Sequence, residues 1–117
     1  MIIIKNKYLI KPGMREEFIK QIKENKIQEG FQAQPGCVAF DINIPLDDDN
    51  NLGLTDIWTS RETFEAHLVC DVNDRWSPIK DKYLEGTEWT LYEGEQNNSY
   101  AVEATRIMAE KKAALEG

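Results

Sequence analysis

The chain has 117 residues, of which 41% are hydrophobic and 30% are charged, and its formal net charge is −7. This length predicts one domain with a single modest core, and the interleaving of apolar and charged residues is typical of a soluble globular protein. The negative charge and the lack of a lysine and arginine cluster argue against nucleic acid or an anionic membrane as a partner.

No apolar run approaches the roughly 20 residues that a membrane-spanning helix needs. The first ten residues, MIIIKNKYLI, lack the basic start and the small-residue cleavage site of a signal peptide, so we expect a cytoplasmic protein. Cys37 and Cys70 do not form a metal-ligand motif. We expect two reduced, buried thiols, with a disulfide as the less favoured alternative.

The first predicted element is a strand over residues 2–11. Alternation along it gives one face with the following residues: Ile2, Ile4, Asn6, Tyr8 and Ile10. This face is apolar except for Asn6, and a buried amide must find hydrogen-bond partners. Asn6 is therefore either a structural clamp on neighbouring backbone or a polar group directed into a cavity.

A helix is predicted over residues 14–29, since Met14, Phe18 and Ile22 recur at intervals of four. We expect Gly30 to cap this helix with a left-handed backbone. A turn at residues 34–36 then leads into a strand over residues 37–44. The apolar face of that strand is predicted to carry Val38, Phe40, Ile42 and Ile44.

The acidic segment PLDDDNN at residues 45–51 invites comparison with a calcium-binding loop. An EF-hand loop needs glycine at position six and glutamate at position twelve. Counted from Asp47, these positions hold Leu52 and Trp58. The sequence therefore favours a solvated hairpin tip over a calcium site.

The stretch LTDIWTSRETFEAHL at residues 54–68 passes from strand to helix. Its first part alternates up to Trp58, and Ser60 then offers a hydroxyl to the free amides of a helix start. In the helix that follows, Phe64, His67 and Leu68 share one face, so the chain's only histidine is expected to point inward. The sequence leaves open whether this imidazole belongs to a packed core or to a pocket wall.

The remaining chain predicts three further elements. A helix over residues 71–83 is entered at, or kinked by, Ser77-Pro78, and a strand follows over residues 87–93. A polar linker then leads to a helix over residues 100–115, which lacks a wide apolar stripe and so needs a surface to lie on. This divides the chain into a domain over residues 1–95 and an extension over residues 96–117.

The predicted order is β-α-β-β-α-β, which is the ferredoxin-like α+β plan, with a C-terminal helical extension. Two helices cover one face of such a sheet, and a domain of this size has no second layer for the other face. Pairing two sheets face to face would bury that second face, so the pattern favours a two-fold homodimer. We expect the C-terminal helix to lie across the partner subunit.

Four short motifs carry a resemblance to a known family. They are KPG at residues 11–13, EEF at 16–18, PGC at 35–37 and W-x-S-x-x-x-F-x-x-H-L at 58–68. In this order and spacing, they resemble the antibiotic biosynthesis monooxygenase, or quinol monooxygenase, family over residues 2–94. The resemblance implies a dimeric α+β barrel with one pocket per subunit, between the sheet and its helices.

The resemblance also implies oxidation of a small aromatic quinol or phenol by molecular oxygen, without metal, flavin or haem. Such a reaction needs a dry aromatic pocket, a proton acceptor and donors that hold the resulting anion. The candidate catalytic residues are His67 as proton acceptor and Asn6 as donor. The candidate substrate-binding residues are Tyr8, Trp58, Phe64 and Trp76.

Two departures from the family patterns limit this reading. The haem-degrading branch has a tryptophan and a histidine where this chain has His67 and Ser77, which argues against haem degradation. Many other members carry a second histidine soon after the first, and here Asn73 closes that segment without one. The alternatives are a non-catalytic barrel that binds a small hydrophobic ligand, or another pocket chemistry such as isomerisation or cyclisation.

Overall fold

Four strands and five helices make up the computed structural model, which describes residues 1–117. In chain order they are β1 (Ile2–Ile10), α1 (Arg15–Glu24), α2 (Ile27–Gln32), β2 (Cys37–Asn43), β3 (Leu52–Trp58), α3 (Arg61–Leu68), α4 (Val72–Tyr83), β4 (Leu84–Glu93) and α5 (Asn98–Glu116). No helix combines the length and the apolar character needed to cross a bilayer.

The strands form one antiparallel sheet in the order β2-β3-β1-β4. The two central strands, β1 and β3, pair over seven positions, from Ile2 opposite Trp58 to Tyr8 opposite Leu52. Helices α1 to α4 supply the connections that cross one face of this sheet. The chain therefore has the ferredoxin-like α+β architecture, as predicted.

The core lies between the helices and the face of the sheet that they cover, which we call the inner face. The strands contribute Ile2, Ile4, Tyr8, Ile10, Phe40, Leu52, Leu54 and Trp58, and the helices contribute Phe18, Ile22, Ile27, Phe31, Val72, Trp76, Ile79 and Tyr83. This confirms the alternation predicted for the first strand. Asn6 stands on the same face, half-buried between two core positions.

The single helix predicted over residues 14–29 is wrong, because the chain breaks between α1 and α2. Lys26 adopts a left-handed backbone with φ 49°, while Gly30 lies inside α2 and does not cap a helix. A Cβ at Gly30 would lie 2.8 Å from the Arg75 guanidinium and 3.1 Å from Val72. Gly30 therefore serves the close approach of α2 to α4 rather than a helix end.

The prediction for the second strand is wrong at both ends of its apolar face. Val38 is 51% exposed because a bulge between Cys37 and Ala39 shifts the alternation, and Ile44 lies beyond the strand. Phe40 is fully buried and Ile42 is half-buried, as expected. Cys37 and Cys70 are free thiols, as predicted, although both are only half-buried.

The loop between β2 and β3 clamps the end of β1. Asp48 accepts hydrogen bonds from the backbone amides of Asn50 and Asn51 at 2.9 and 3.0 Å, which holds the pKa of its carboxyl well below the usual range. The Asn51 side chain accepts from the amide of Ile10, and the Asn50 amide donates to the Ile10 carbonyl. The tip is thus an ordered brace for the sheet rather than a loosely solvated turn.

The two helices that follow β3 are set by local sequence signals. Ser60 caps α3 through a reciprocal capping box with Thr63, as its position after the strand predicts. Helix α4 continues through Pro78 over twelve residues, so Ser77-Pro78 is neither its entrance nor the end of a segment. Within α3, His67 is buried, whereas Leu68 is 54% exposed, although it borders the same cavity as Phe64 and His67 and so keeps the predicted shared face.

Candidate active site

A cavity of about 330 Å³ lies between the inner face of the sheet and helices α3 and α4. Five of the six residues proposed from the sequence line it: Asn6, Tyr8, Phe64, His67 and Trp76. They come from β1, α3 and α4, which are far apart in the chain. The fold therefore brings the predicted imidazole and the predicted amide to one hollow.

Trp58, the sixth predicted residue, lies behind the cavity wall and not on it. Its side chain has no exposed surface, and its ring stacks on His67 with the centroids 4.3 Å apart. Phe31 approaches the imidazole edge-on at a centroid distance of 4.6 Å. Trp58 can therefore influence a ligand only through the side chains that it holds in place.

The protonation state of His67 follows from its surroundings. Its Nδ1 lies 3.3 Å from the Gln34 side-chain oxygen, and this contact fits the tautomer with the proton on Nδ1, in which Nε2 accepts a hydrogen bond. Burial, with a smaller contribution from the Lys80 charge, lowers the pKa of His67 to about 4. His67 is thus a neutral acceptor at neutral pH, and a weak base.

Asp56 is a carboxylate in the cavity wall that the sequence analysis did not single out. It is only 3% exposed, and its Oδ2 accepts a hydrogen bond from the Trp58 indole at 2.8 Å. Its Oδ1 is buried without a hydrogen-bond partner. Burial raises the pKa of Asp56, an effect that the Trp58 bond reduces.

Asn6 and Asp56 are the two residues whose buried side-chain oxygens lack a partner. In the β1–β3 ladder, Asn6 stands opposite Leu54 and Asp56 stands opposite Ile4. They are therefore diagonal neighbours on the inner face, with Cα atoms about 7–8 Å apart. An unpaired buried oxygen costs about 1–3 kcal/mol, so these two atoms are the positions in the cavity where a bound donor, from a ligand or from water, is most favourable.

The aromatic part of the wall is built on the core. Trp76 stacks against Phe18 with centroids 5.6 Å apart and planes 12° apart, and Tyr8 meets both rings edge-on. Burial, reinforced by the negative charge of Asp56, raises the pKa of Tyr8. The Tyr8 hydroxyl therefore stays protonated and can act only as a neutral group.

Lys80 provides positive charge at the same cavity. Its ammonium lies 5.7 Å from the centre of the Trp76 ring, and burial lowers the pKa of this lysine. Thr87 and Trp89 border the cavity from β4, where Trp89 is 57% exposed. The cavity thus has an enclosed polar end near Asp56 and a more open side at β4.

The chemistry available here is that of proton transfer in an aromatic-walled space. Acceptors are present at Asp56, Asn6 and His67, and a cation is present at Lys80. No group of three histidine, cysteine, aspartate or glutamate side chains in the chain is arranged to hold a metal ion. The cavity has the size and lining of a site for a small molecule.

The class of this protein follows from its fold and its cavity. It is a ferredoxin-like α+β domain that encloses a small cavity with an aromatic wall and a few polar groups. Within that class, the sequence model for the family described as antibiotic biosynthesis monooxygenase matches residues 1–69. The match covers more than half of the chain and includes β1, β3 and α3 with His67. The chain belongs to the antibiotic biosynthesis monooxygenase family.

Solved structures support the same fold at low sequence identity. A protein from Nitrosomonas europaea, described as a candidate antibiotic biosynthesis monooxygenase, has a TM-score of 0.73 and 22% identity over 82% of this chain and 100% of its own. A conserved protein from Methanosarcina mazei has a TM-score of 0.72 and 21% identity over 80% of this chain and 92% of its own.

A third neighbour, from Deinococcus radiodurans and also described as a candidate antibiotic biosynthesis monooxygenase, has a TM-score of 0.69. It is 15% identical over 83% of this chain and 95% of its own. No curated protein sequence matches this chain significantly. Each structural neighbour leaves about a fifth of the chain uncovered.

Proposed function

We propose that this protein is a cofactor-independent monooxygenase that oxidises a small aromatic quinol or phenol with molecular oxygen. In the reaction class implied by the family, the substrate supplies all four electrons: a ring C–H group becomes a carbonyl, or a quinol gains a hydroxyl group while it is oxidised to the quinone, and the second oxygen atom leaves as water. The observation that carries the proposal is the convergence of Asn6, His67 and an aromatic wall on one cavity.

The cavity meets the three requirements of such a reaction. Tyr8, Phe64 and Trp76 provide aromatic surface for the ligand ring, and a ligand that displaces water from the cavity strengthens the polar contacts inside. The Asn6 amide can donate to a carbonyl or oxyanion, and the neutral His67 can accept a hydrogen bond through Nε2. A phenol bound there is held where losing its proton makes it a better reductant of oxygen.

Oxygen consumption with reduced quinols tests the proposal. We expect wild-type protein to consume oxygen faster than the autoxidation seen in buffer. The double variant Asn6→Ala, His67→Ala should fall to the buffer rate, because it removes the amide that holds the ligand oxyanion and the imidazole that orients the ligand. Glu17→Ala, at an exposed position of α1 away from the cavity, is the matched control and should behave as wild type. Equal rates for wild type and buffer would reject the enzymatic role.

A non-catalytic binding role is the alternative, and the chain after His67 favours it. Where many family members carry a second imidazole, Asn73 donates hydrogen bonds to the backbone carbonyls of His67 and Cys70 at 2.8 and 3.2 Å. That position therefore serves the turn between α3 and α4. Saturable binding of aromatic ligands without oxygen consumption would select this alternative.

We also propose that the protein works as a two-fold homodimer in the cytoplasm. The face of the sheet opposite the helices carries an apolar row that crosses all four strands: Ala39, Ile57, Ile3 and Tyr92. Tyr92 in this row is 53% exposed, and no layer of the same chain covers the row. A second copy would cover it by pairing the sheets.

The helix α5 is the second support for a dimer. It buries none of its residues within the chain, whereas most of the stability of a protein helix comes from the packing of one face. Its exposed apolar residues Tyr100, Ile107, Met108 and Leu115 recur every seven or eight positions and so share one side. We propose that this side lies across the partner subunit, as the sequence predicts.

Truncation after Glu95 is expected to raise the dimer dissociation constant at least about tenfold, since it removes this contact. Ile107→Glu, on the apolar side of α5, should weaken the dimer in the same direction. Val102→Glu, on the opposite side, is the matched control and should leave it unchanged. Sedimentation at dilute concentration measures all three, and an unchanged dissociation constant after truncation would refute the contact.

A further inference from the structure

One oxygen of the Asp56 carboxylate makes no side-chain hydrogen bond within the chain. Asp56 and Trp58 already satisfy each other through one carboxylate oxygen, Oδ2, at 2.8 Å from the indole nitrogen. The other oxygen, Oδ1, is buried at the cavity and bonds to nothing. A purely structural acceptor for the indole could be a neutral amide, which would avoid the cost of burying a charge.

We propose that Asp56 is a catalytic residue whose Oδ1 takes the proton from the hydroxyl group of the bound phenol or quinol. This inference rests on the proposed function, because it names the base for that reaction. It differs from the expectation drawn from the sequence, which gave the role of proton acceptor to His67. His67 then acts as a neutral hydrogen-bond acceptor that orients the ligand.

The proton transfer is balanced within the cavity. The oxygen–hydrogen bond of the ligand breaks, its electron pair stays on the ligand oxygen, and the proton forms a bond to Oδ1 of Asp56. The negative charge moves from the carboxylate to the ligand oxygen, where the ammonium of Lys80 and the amide of Asn6 can stabilise it. The indole of Trp58 fixes the orientation of the carboxyl group during this exchange.

Two further features suit Asp56 to this task better than His67. Burial raises the pKa of the Asp56 carboxyl and lowers the pKa of His67 to about 4, so the carboxylate gains basicity while the imidazole loses it. The carboxylate is also held on a central strand of the sheet, which is a rigid platform.

The pH dependence of Asp56 is set by groups on four elements. Tyr8 on β1 and Cys37 on β2 both sense its charge, while His67 on α3 and Lys80 on α4 face the same cavity. Tyr8 and Cys37 stay protonated at neutral pH because burial raises the pKa of each. The activity of wild type should therefore fall as pH drops through the raised pKa of Asp56.

The first experiment follows proton transfer without oxygen, using 4-nitrophenol under anaerobic conditions, because its ionised form is coloured. Wild type should bind it with a shift toward the phenolate spectrum. Asp56→Asn keeps an oxygen for the Trp58 indole but cannot take the proton, so phenolate that it binds beside Lys80 must release its proton to solvent, whereas wild type should release none. Equal proton release on binding by the two proteins, or no binding to wild type, would overturn the role of Asp56.

The second experiment measures oxygen consumption with a reduced quinol. Asp56→Asn should lose about 10²–10⁴-fold in rate and lose the acid limb of the pH profile, and Asp56→Glu should restore part of both. A wild-type rate in Asp56→Asn would overturn the inference and leave the monooxygenase proposal standing. If wild type takes the proton from 4-nitrophenol but consumes no oxygen with the quinol, the role of Asp56 as a base is supported and the monooxygenase proposal is rejected.

Thermal unfolding separates this role from a structural one. The raised pKa means that folded wild type binds more protons than the unfolded chain, so ionised Asp56 lowers its stability as pH rises above the ordinary value near 3.8. The Asp56→Asn protein has no carboxylate to ionise and so does not lose stability in this way. Its thermal unfolding midpoint at pH 8 should therefore equal or exceed that of wild type. A clearly lower midpoint would show a structural role and overturn the inference.

Discussion

Replacement of Phe18 by alanine is expected to lower the free energy of unfolding by about 3–5 kcal/mol. Phe18 is fully buried on α1, and its ring contacts Tyr8, Trp76 and Tyr83 at centroid distances of 5.6 to 5.9 Å. Removing the ring leaves a cavity among three large aromatic side chains that cannot close onto it without leaving their rotamers.

The same substitution should also affect the candidate site, although Phe18 does not line it. Tyr8 and Trp76 form part of the cavity wall, and both rest on the Phe18 ring. Without the Phe18 ring, the side chains of Tyr8 and Trp76 become more mobile. Ligand binding must then restrict them, which makes the free energy of binding less favourable. We therefore expect weaker ligand binding in addition to the loss of stability.

Phe64→Ala is the matched control for Phe18→Ala. Phe64 lines the cavity from α3 but is only half-buried, so its loss should cost clearly less stability. Its effect on ligand affinity should be direct and of at least similar size. Urea unfolding and ligand titration of both variants check this, and similar stability losses would contradict our assignment of Phe18 to the core.

The parts of this fold that sequence analysis predicts well are those set by local pattern. Alternation in β1 gives the correct inner face, because one side of that strand meets helices along its whole length. Ser60 gives the correct start of α3, since a hydroxyl before a helical pattern has few other uses. These two signals predicted that Asn6 and His67 point to the inner side of the fold, and they left open whether a cavity lies between them.

The errors occur where tertiary packing overrides local preference. The bulge in β2 and the left-handed backbone at Lys26 are irregularities of the chain, and no glycine or proline at either position predicts them from the sequence. Gly30 was mistaken for a cap because the requirement for glycine comes from Val72 and Arg75 on another helix. Such a requirement can be recognised only when the packing partner is known.

Asp56 shows the corresponding limit for the site. Its alternation with Leu54 and Trp58 places it on the inner face, so a charged residue between two apolar core positions was a visible signal. What the sequence could not reveal is that Trp58 occupies only one of the carboxylate oxygens. Lys80 gave no comparable signal, because a lysine late in a helix is ordinarily a solvated residue.

The second large expected loss of stability concerns Gly36, in the turn before β2. Gly36 has φ +80°, and a Cβ at this position would lie 2.4 Å from the Thr63 side chain. Gly36→Ala should therefore lower the free energy of unfolding by about 2–5 kcal/mol, as the sum of about 1–2 kcal/mol for the left-handed backbone and about 1–3 kcal/mol for overpacking.

Two other glycines separate these contributions. Gly13 has φ +76° but nothing within 4 Å of its Cβ position, so Gly13→Ala should show the backbone cost alone. Gly94 has neither a positive φ nor a close neighbour, and Gly94→Ala should change stability by no more than about 0.5 kcal/mol. If urea unfolding shows equal losses in the free energy of unfolding for Gly36→Ala and Gly13→Ala, the Thr63 side chain moves aside at no cost and the overpacking contribution is absent.

The Gly36→Ala substitution should also change the position of His67 in the candidate site, for two reasons. Thr63 closes the capping box of α3 with Ser60, so displacing it moves the helix that carries His67. Gln34, which contacts Nδ1 of His67, lies two residues before Gly36 in the same turn. We therefore expect Gly36→Ala to reduce ligand affinity even where it remains folded, whereas Gly13→Ala, at the far end of β1, should not.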